Sequence, residues 1–132
     1  MADAVTSTTL YDGPGEIIMM FTNTSDGTGE AAVLKVDVST LSGYVSGDRV
    51  AIEKIIYSTY GMAVKILFDA TTDTIAWTCP ADDAGEICFE RRAPLKNTAG
   101  TGITGDIMFT TVGHTAGDTY TIVLHMRKYN IT

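Results

Sequence analysis

The two histidines, His114 and His125, are the side chains of this sequence best suited to transfer protons or bind a metal near neutral pH. Zinc and hydrolytic sites combine histidine with further ligands at regular spacing, as in His-Glu-x-x-His or Cys-x-x-Cys, and neither pattern occurs. We therefore expect no metal and no catalytic histidine. His114 is predicted to lie in a turn and to hydrogen-bond nearby backbone, and His125 to lie on an exposed or subunit-facing surface.

Cys79 and Cys88 are the only thiols. They bracket a predicted hairpin, so their side chains could come close across two strands, and a disulfide stays open as an alternative. In a reducing compartment we expect both thiols to be free. Nucleophilic catalysis by either thiol would need a nearby general base, and no sequence feature supplies one.

Segment 100–105 has the sequence Gly-Thr-Gly-Ile-Thr-Gly and matches the G-x-G-x-x-G pattern. That pattern binds dinucleotides only between a strand and the start of a helix. Here a predicted strand follows it, so we interpret the segment as a loop and expect no cofactor. No G-x-S-x-G sequence is present, which leaves serine hydrolase chemistry without a nucleophile. The sequence predicts that the protein is not an enzyme.

Acidic residues cluster in or beside two predicted turns, where carboxylates can bind hard cations such as Ca²⁺. Turns also favour aspartate because its side chain hydrogen-bonds local backbone, and no EF-hand spacing is present. We therefore expect no metal here, with calcium as the alternative. The residues concerned are Asp69, Asp73, Asp82, Asp83 and Glu86.

Length and charge exclude several classes of function. The chain has 132 residues, a formal net charge of −7 and only nine basic residues, a poor composition for binding nucleic acid. The N-terminus lacks the basic and apolar segments of a secretion signal, and the longest apolar run, 17–21, is too short to cross a membrane. We expect one domain over residues 1–132, soluble, made in a cytoplasm and without membrane contact.

The elements that must position these residues are predicted to be strands. Thr, Ile and Val occur 21, 12 and 9 times, and these β-branched residues favour pleated sheet. Short alternating runs separated by Gly, Asp, Asn and Pro predict an all-β fold, an antiparallel two-sheet β-sandwich, jelly-roll-like, with almost no helix. A closed barrel is the alternative. The predicted strands span 5–11, 16–23, 30–38, 49–57, 62–69, 74–79, 86–91, 106–112 and 119–127.

Details of the pattern predict pairing and burial. The turn at 24–29 indicates a hairpin between the second and third strands, and alternation in the third places Leu34, Val36 and Val38 opposite Lys35 and Asp37. Segments 17–21, 55–57 and 62–68 are apolar on both faces. We infer an oligomer in which another subunit covers the outer apolar residues. The alternative is that a loop such as 92–105 folds over them.

Segments 20–30, 36–39, 69–74 and 105–120 are considered together. These four segments resemble small virion structural proteins of tailed bacteriophages. The resemblance covers most of the chain, contains no catalytic signature, and implies a capsid decoration (cement) protein on the outer surface of the phage head, made in the host cytoplasm. Its implied partner is the major capsid protein, and a homotrimer on a local threefold axis fits such a shell. The segments are 20–30 (MFTNTSDGTGE), 36–39 (VDVS), 69–74 (DATTDT) with Trp77 close behind, and 105–120 (GDIMFTTVGHTAGDTY).

Under this interpretation an acidic protein lies outside the shell, away from the packaged genome. We expect its contacts to come from the few paired basic residues and from residues 1–11, an N-terminal arm or edge strand. The expected contact residues are Arg91, Arg92, Arg127, Lys128, Thr8, Leu10 and Tyr11.

Two alternatives stay open. One is a structural protein of the tail, neck or fibre. The other is a carbohydrate-binding jelly-roll module for host adhesion, in which exposed aromatic residues stack on sugar. Its candidate residues are Tyr44, Tyr57, Tyr60 and Trp77, although Trp77 alternates with Ile75 and is more simply a core residue.

Overall fold

The computed structural model describes residues 4–45, 47–89, 94–99 and 101–130, and it confirms the predicted all-β sandwich of two antiparallel sheets. The only helical element in these ranges is a 3-10 turn, Val38–Thr40, which Asp37 caps by accepting a hydrogen bond from the backbone amide of Ser39. The strands are β1 (Ala4–Asp12), β2 (Glu16–Thr24), β3 (Val33–Val36), β4 (Asp48–Tyr60), β5 (Ala63–Phe68), β6 (Thr74–Cys79), β7 (Ala84–Cys88), β8 (Ile107–Val112) and β9 (Thr119–Asn130).

The strand order is that of a jelly roll with one added strand. The first sheet has the order β1-β2-β9-β4-β7 and the second β3-β8-β5-β6. From β2 onward the partners are nested, so that β2 pairs with β9, β3 with β8, β4 with β7 and β5 with β6. β1 lies outside this eight-stranded unit, at the edge of the five-stranded sheet.

The core lies between the two sheets and is centred on aromatic residues. The Phe109 ring packs edge-on against Phe21 at 5.1 Å and against Tyr120 at 5.7 Å between ring centroids. In β2 the alternation is clear: Ile17, Met19 and Phe21 are buried, whereas the residues between them are half-buried on the outer face. β2, β4, β5 and β9 each contribute an apolar row to the interior, whereas β7 contributes no buried residue.

The predicted hairpin between the second and third strands is wrong. β2 belongs to the five-stranded sheet and β3 to the four-stranded sheet, so the turn at 24–29 carries the chain from one sheet to the other. The predicted facing within β3 is also wrong, because the register slips between Leu34 and Val36. This bulge turns Lys35 into the interior and leaves Leu34 exposed.

The cysteines do not face each other across a hairpin, because β6 and β7 lie in different sheets. Both thiols are free; Cys79 is buried and Cys88 is exposed. Burial raises the pKa of the Cys79 thiol to about 12.

We expect a thiol reagent at about pH 8 to modify Cys88 quickly and Cys79 only after unfolding, since the thiolate is the reactive form. The pKa of Cys79 is higher in the folded than in the unfolded chain, so its contribution to stability is complete below pH 9.0 and is lost as the pH rises towards about 12. Counting labelled thiols by mass spectrometry, with and without denaturant, checks the expected difference in reactivity between Cys88 and Cys79. Rapid double labelling of the folded protein would contradict it.

Candidate functional site

The outer face of the five-stranded sheet carries three rows of side chains that run across all five strands. Residues paired in an antiparallel sheet share a face, so the registers define these rows directly. One row is mostly hydroxyl, the next mostly apolar, and the third mixed. In order from β1 to β7, the rows are Thr6, Thr22, Thr121, Ser58, Ala84; Thr8, Met20, Val123, Ile56, Glu86; and Tyr11, Ile18, His125, Lys54, Cys88.

The three rows contain no Asp, Glu, Lys or Arg on β1, β2 and β9. Met20, Val123 and Ile56 remain half-buried and His125 lies beside them, in agreement with its predicted surface position. The apolar residues predicted on the outer faces of the segments 17–21 and 55–57 therefore do line one surface. Such a surface is typical of a site where another protein packs.

β1 forms the exposed border of the same face. All residues from Ala4 to Tyr11 are exposed, including Val5 at 46% and Leu10 at 53%, and none of them is charged. The hydroxyls of Thr6 and Thr22 hydrogen-bond to each other. Edge strands usually carry lysine, proline or other features that prevent pairing, and β1 has only the bulge between Thr9 and Tyr11. Its outer edge is therefore available for a further strand.

Lys128, a residue of β9, forms an ion pair with Asp12 at the end of β1. Its ammonium donates to the Asp12 carboxylate, to the carbonyl of Gly13 at 2.7 Å and to the carbonyl of Ser42 at 3.0 Å. Burial acts to raise the pKa of Asp12, but the hydrogen bonds and charge of Lys128 and the Ser42 amide outweigh it, so that pKa is lowered. The Lys128 ammonium therefore binds three groups of this same chain.

The other predicted contact residues do not lie together. Leu10 and Tyr11 lie at the same end of the five-stranded sheet as Arg127, whose guanidinium donates to Glu53 at 2.8 Å and stays half-exposed. Thr8 lies near the middle of β1. Arg91 and Arg92 lie outside the described residues.

The aromatic residues considered for sugar binding do not form one platform. Tyr57 is half-buried and donates to Asp83 at 3.1 Å, so the expectation that it is exposed is wrong. Trp77 packs against the core, as the simpler interpretation predicted, with its ring edge-on to Phe89 at 6.1 Å between centroids. Tyr60 is 67% exposed at the end of β4, and Tyr44 is 39% exposed beside the beginning of that strand. The two exposed tyrosines are therefore at opposite ends of the sandwich.

An open depression of about 790 Å³ lies beside Tyr60. Its carboxylates hold local backbone: Asp82 accepts from the amide of Gly61 at 2.7 Å and Asp118 from the amide of Thr115 at 2.8 Å. No group of three potential ligands suited to a metal occurs among the residues that the structure describes. The depression is lined by Ser58, Thr59, Tyr60, Gly61, Asp82, Asp83, Ala84 and Asp118.

A second site, a buried polar cluster, was missed by the sequence analysis. Lys35 Nζ lies 2.5 Å from Glu30 Oε2, and these side chains are only 3% and 5% exposed. The other carboxylate oxygen of Glu30 accepts from Asn23 Nδ2 at 2.9 Å and from the Tyr120 hydroxyl at 2.6 Å. We call Asn23, Glu30, Lys35 and Tyr120 the buried cluster. Regular alternation through β3 predicts that Lys35 lies on the opposite face from Val36. The bulge turns the Lys35 side chain into the interior instead.

His114 lies beside this cluster but outside it. Its Nδ1 is 3.1 Å from the Thr111 hydroxyl, so it contacts a side chain rather than the predicted backbone group. Gly29 packs against the imidazole so closely that a Cβ there would overlap the ring. His114 therefore packs against the segment between β2 and β3, which carries the chain from one sheet to the other.

Comparison with known proteins gives only distant similarities. No protein-family model matches the chain, and no curated protein does. Among solved structures, two mutants of carbohydrate-binding modules of family 29 are each 12% identical, with TM-scores of 0.38 and 0.40; the alignments cover 96% and 95% of this chain and 79% and 92% of theirs. A cupin superfamily protein from Desulfitobacterium hafniense is 13% identical with a TM-score of 0.23, over 99% of this chain and 80% of that one. Similarity at this level carries no information about function.

Proposed function

We propose that this protein is a capsid decoration protein of a tailed bacteriophage, which binds the outer surface of the head shell and stabilises it without catalysing a reaction. The observation that carries the proposal is β1, an exposed, uncharged strand added to the edge of a complete jelly roll. It accompanies the resemblance of four segments to small phage virion proteins. An unprotected edge of this kind is suited to pairing with a strand of a partner.

The outer face of the five-stranded sheet, which includes β1, is a further argument for an assembly of several copies. Apolar residues such as Met20 and Ile56 lie next to rows of threonine, and a second subunit or the shell would cover them. We propose a homotrimer on a local threefold axis of the shell, where three modest contacts act together. The net charge of −7 favours the outside of the head over its DNA-filled interior.

Replacing Thr8 with glutamate tests the proposed role of β1. The change puts a charge into an exposed edge strand, where the fold tolerates it but strand pairing with a partner does not. We expect binding to purified shells lacking the protein to weaken at least about tenfold, measured by co-sedimentation over a concentration series. The matched control is Thr72→Glu, which adds the same charge at an exposed turn of the other sheet. Equal binding by the two variants would contradict the proposal.

Carbohydrate binding is the second candidate, and the depression beside Tyr60 is what favours it. A highly exposed tyrosine next to carboxylates such as Asp82 is an arrangement that can stack on a sugar ring and accept hydrogen bonds from its hydroxyls. Glycan binding that disappears in Tyr60→Ala but persists in Tyr44→Ala would support an adhesion role. A place on the tail, neck or fibre is compatible with either mode of binding.

A further inference from the structure

The buried cluster places one carboxyl group between an amine and a carboxamide. Glu30 Oε2 is 2.5 Å from Lys35 Nζ, and Glu30 Oε1 is 2.9 Å from Asn23 Nδ2. Asn23 belongs to β2 in one sheet and Lys35 to β3 in the other. Two groups able to form an amide bond therefore contact the same carboxylate inside the sandwich, and that carboxylate can carry a proton between them.

The surroundings of the cluster exclude water. The side chains of Lys35 and Glu30 are 3% and 5% exposed and Asn23 is 2% exposed. Lys35 Nζ also lies 5.9 Å from the centroid of the Phe109 ring. The contact of 2.5 Å between Lys35 Nζ and Glu30 Oε2 is a direct path for a proton. The product of its transfer to Glu30 is a neutral amine, the nucleophilic form of lysine.

We propose that Lys35 and Asn23 react to form an intramolecular amide bond, with Glu30 as the proton carrier. Glu30 takes a proton from the Lys35 ammonium, and the Nζ lone pair attacks Cγ of Asn23. The Nζ–Cγ bond forms, the Cγ–Nδ2 bond breaks, and Nδ2 departs as ammonia after Nζ gives up a further proton to it through Glu30. The proton first taken from Lys35 stays on Glu30 or leaves with the ammonia as ammonium. Nothing is oxidised or reduced, and no further reactant is needed.

The fold holds the three groups in place. The backbone amide of Glu30 donates to the Thr111 hydroxyl at 2.8 Å, and the Thr111 amide donates to the Glu30 carbonyl at 3.0 Å, which ties Glu30 to β8. The Tyr120 hydroxyl orients the carboxylate from β9, and the β3 bulge directs Lys35 inward. Because the fold holds Lys35, Glu30 and Asn23 together, their reaction does not depend on a random encounter between separate groups.

The bond would join the two sheets covalently. It closes the chain between Asn23 and Lys35, the segment that crosses from β2 to β3, and it restricts the unfolded chain as a disulfide does. Unlike a disulfide, an amide bond survives reducing conditions. The inference rests on the buried cluster alone and holds whether or not the protein belongs to a virion.

Mass spectrometry of the intact, denatured protein tests the inference directly. We expect the purified folded protein to be lighter than its sequence mass by one molecule of ammonia. Cleavage after glutamate separates residues 17–30, which contain Asn23, from residues 31–53, which contain Lys35. We expect these two fragments to remain joined, with the bond located between the two side chains by fragmentation of the branched peptide.

Two variants assign the role of Glu30. Glu30→Gln keeps the shape of the side chain and removes its ability to carry the proton, so we expect the full sequence mass. Glu53→Gln is the matched control, because Glu53 is also buried and ion-paired but touches neither Lys35 nor Asn23; we expect it to lose ammonia like the unmodified sequence. The full mass in the natural folded protein, separate fragments 17–30 and 31–53, or ammonia loss in Glu30→Gln would each overturn the inference. Should Glu30→Gln fail to fold, the mass of the natural protein still decides the matter.

Discussion

Replacing Glu30 with alanine is expected to lower the free energy of unfolding by about 3–5 kcal/mol, which is the usual cost of leaving one partner of a buried ion pair alone. Lys35 would keep its amine in an interior site that is 3% exposed, without the carboxylate 2.5 Å away. Asn23 and Tyr120 would lose the same acceptor. Urea unfolding followed by tryptophan fluorescence measures the difference for protein that has its full sequence mass. In protein whose Lys35 and Asn23 are joined, the amide bond replaces this ion pair.

Glu86→Ala is the matched control for that experiment. Glu86 also pairs with a lysine, Lys54, at 2.9 Å, but its side chain is 54% exposed. Exposed ion pairs contribute little, so we expect a loss of less than about 1 kcal/mol. Equal losses for Glu30→Ala and Glu86→Ala would show that the buried cluster does not stabilise the fold in the way described.

Replacing Phe109 with alanine is the second change with a large expected effect. Phe109 is fully buried, packs edge-on against Phe21 and Tyr120, and forms part of the surroundings of Lys35. Removing the ring leaves a cavity between the two sheets, and phenylalanine-to-alanine changes in a core cost about 3–5 kcal/mol.

Urea unfolding is again the measurement, with Ile75→Ala as the control. Ile75 is also a large apolar residue of the four-stranded sheet, but it is 58% exposed, so we expect a change within about 0.5 kcal/mol. If Phe109→Ala unfolded at the same urea concentration as Ile75→Ala, the packing described for the core would be wrong.

The architecture could be predicted from the sequence because sheet periodicity is local. Short alternating runs indicated the strands, and clusters that include glycine and aspartate indicated the turns between them. The strand 74–79 was predicted with its observed bounds. Residues near strand ends were less accurate: β4 extends to Tyr60, beyond the predicted end at residue 57.

The buried cluster could not be predicted in the same way because it depends on distant parts of the chain. A turn sequence such as 24–29 specifies that the chain changes direction, but not whether the next strand joins the same sheet. The β3 bulge reverses the facing of Lys35 with no local signal such as a glycine. Tyr120 reaches Glu30 from 90 residues away, which only the nested pairing of the jelly roll explains.

The proposed contact surface was predicted in part. The threonine-rich beginning of the chain suggested a contact arm or edge strand, and the structure describes residues 4–12 as the edge strand β1. The pairing of Lys128 with Asp12 was not foreseen, because nothing local links residues so far apart in sequence. Lys128 therefore contributes to the proposed contact by holding β1 in place, whereas Arg127 keeps a half-exposed side chain.

If a tailed phage encodes this chain, as proposed, the most direct test is to count its copies in purified particles of that phage, by quantitative mass spectrometry against the major capsid protein. The proposal predicts a ratio of order one, set by the symmetry of the shell. A few tens of copies or fewer per particle would place the protein on the tail or neck instead. Its absence from the particle would contradict a structural role in the virion altogether.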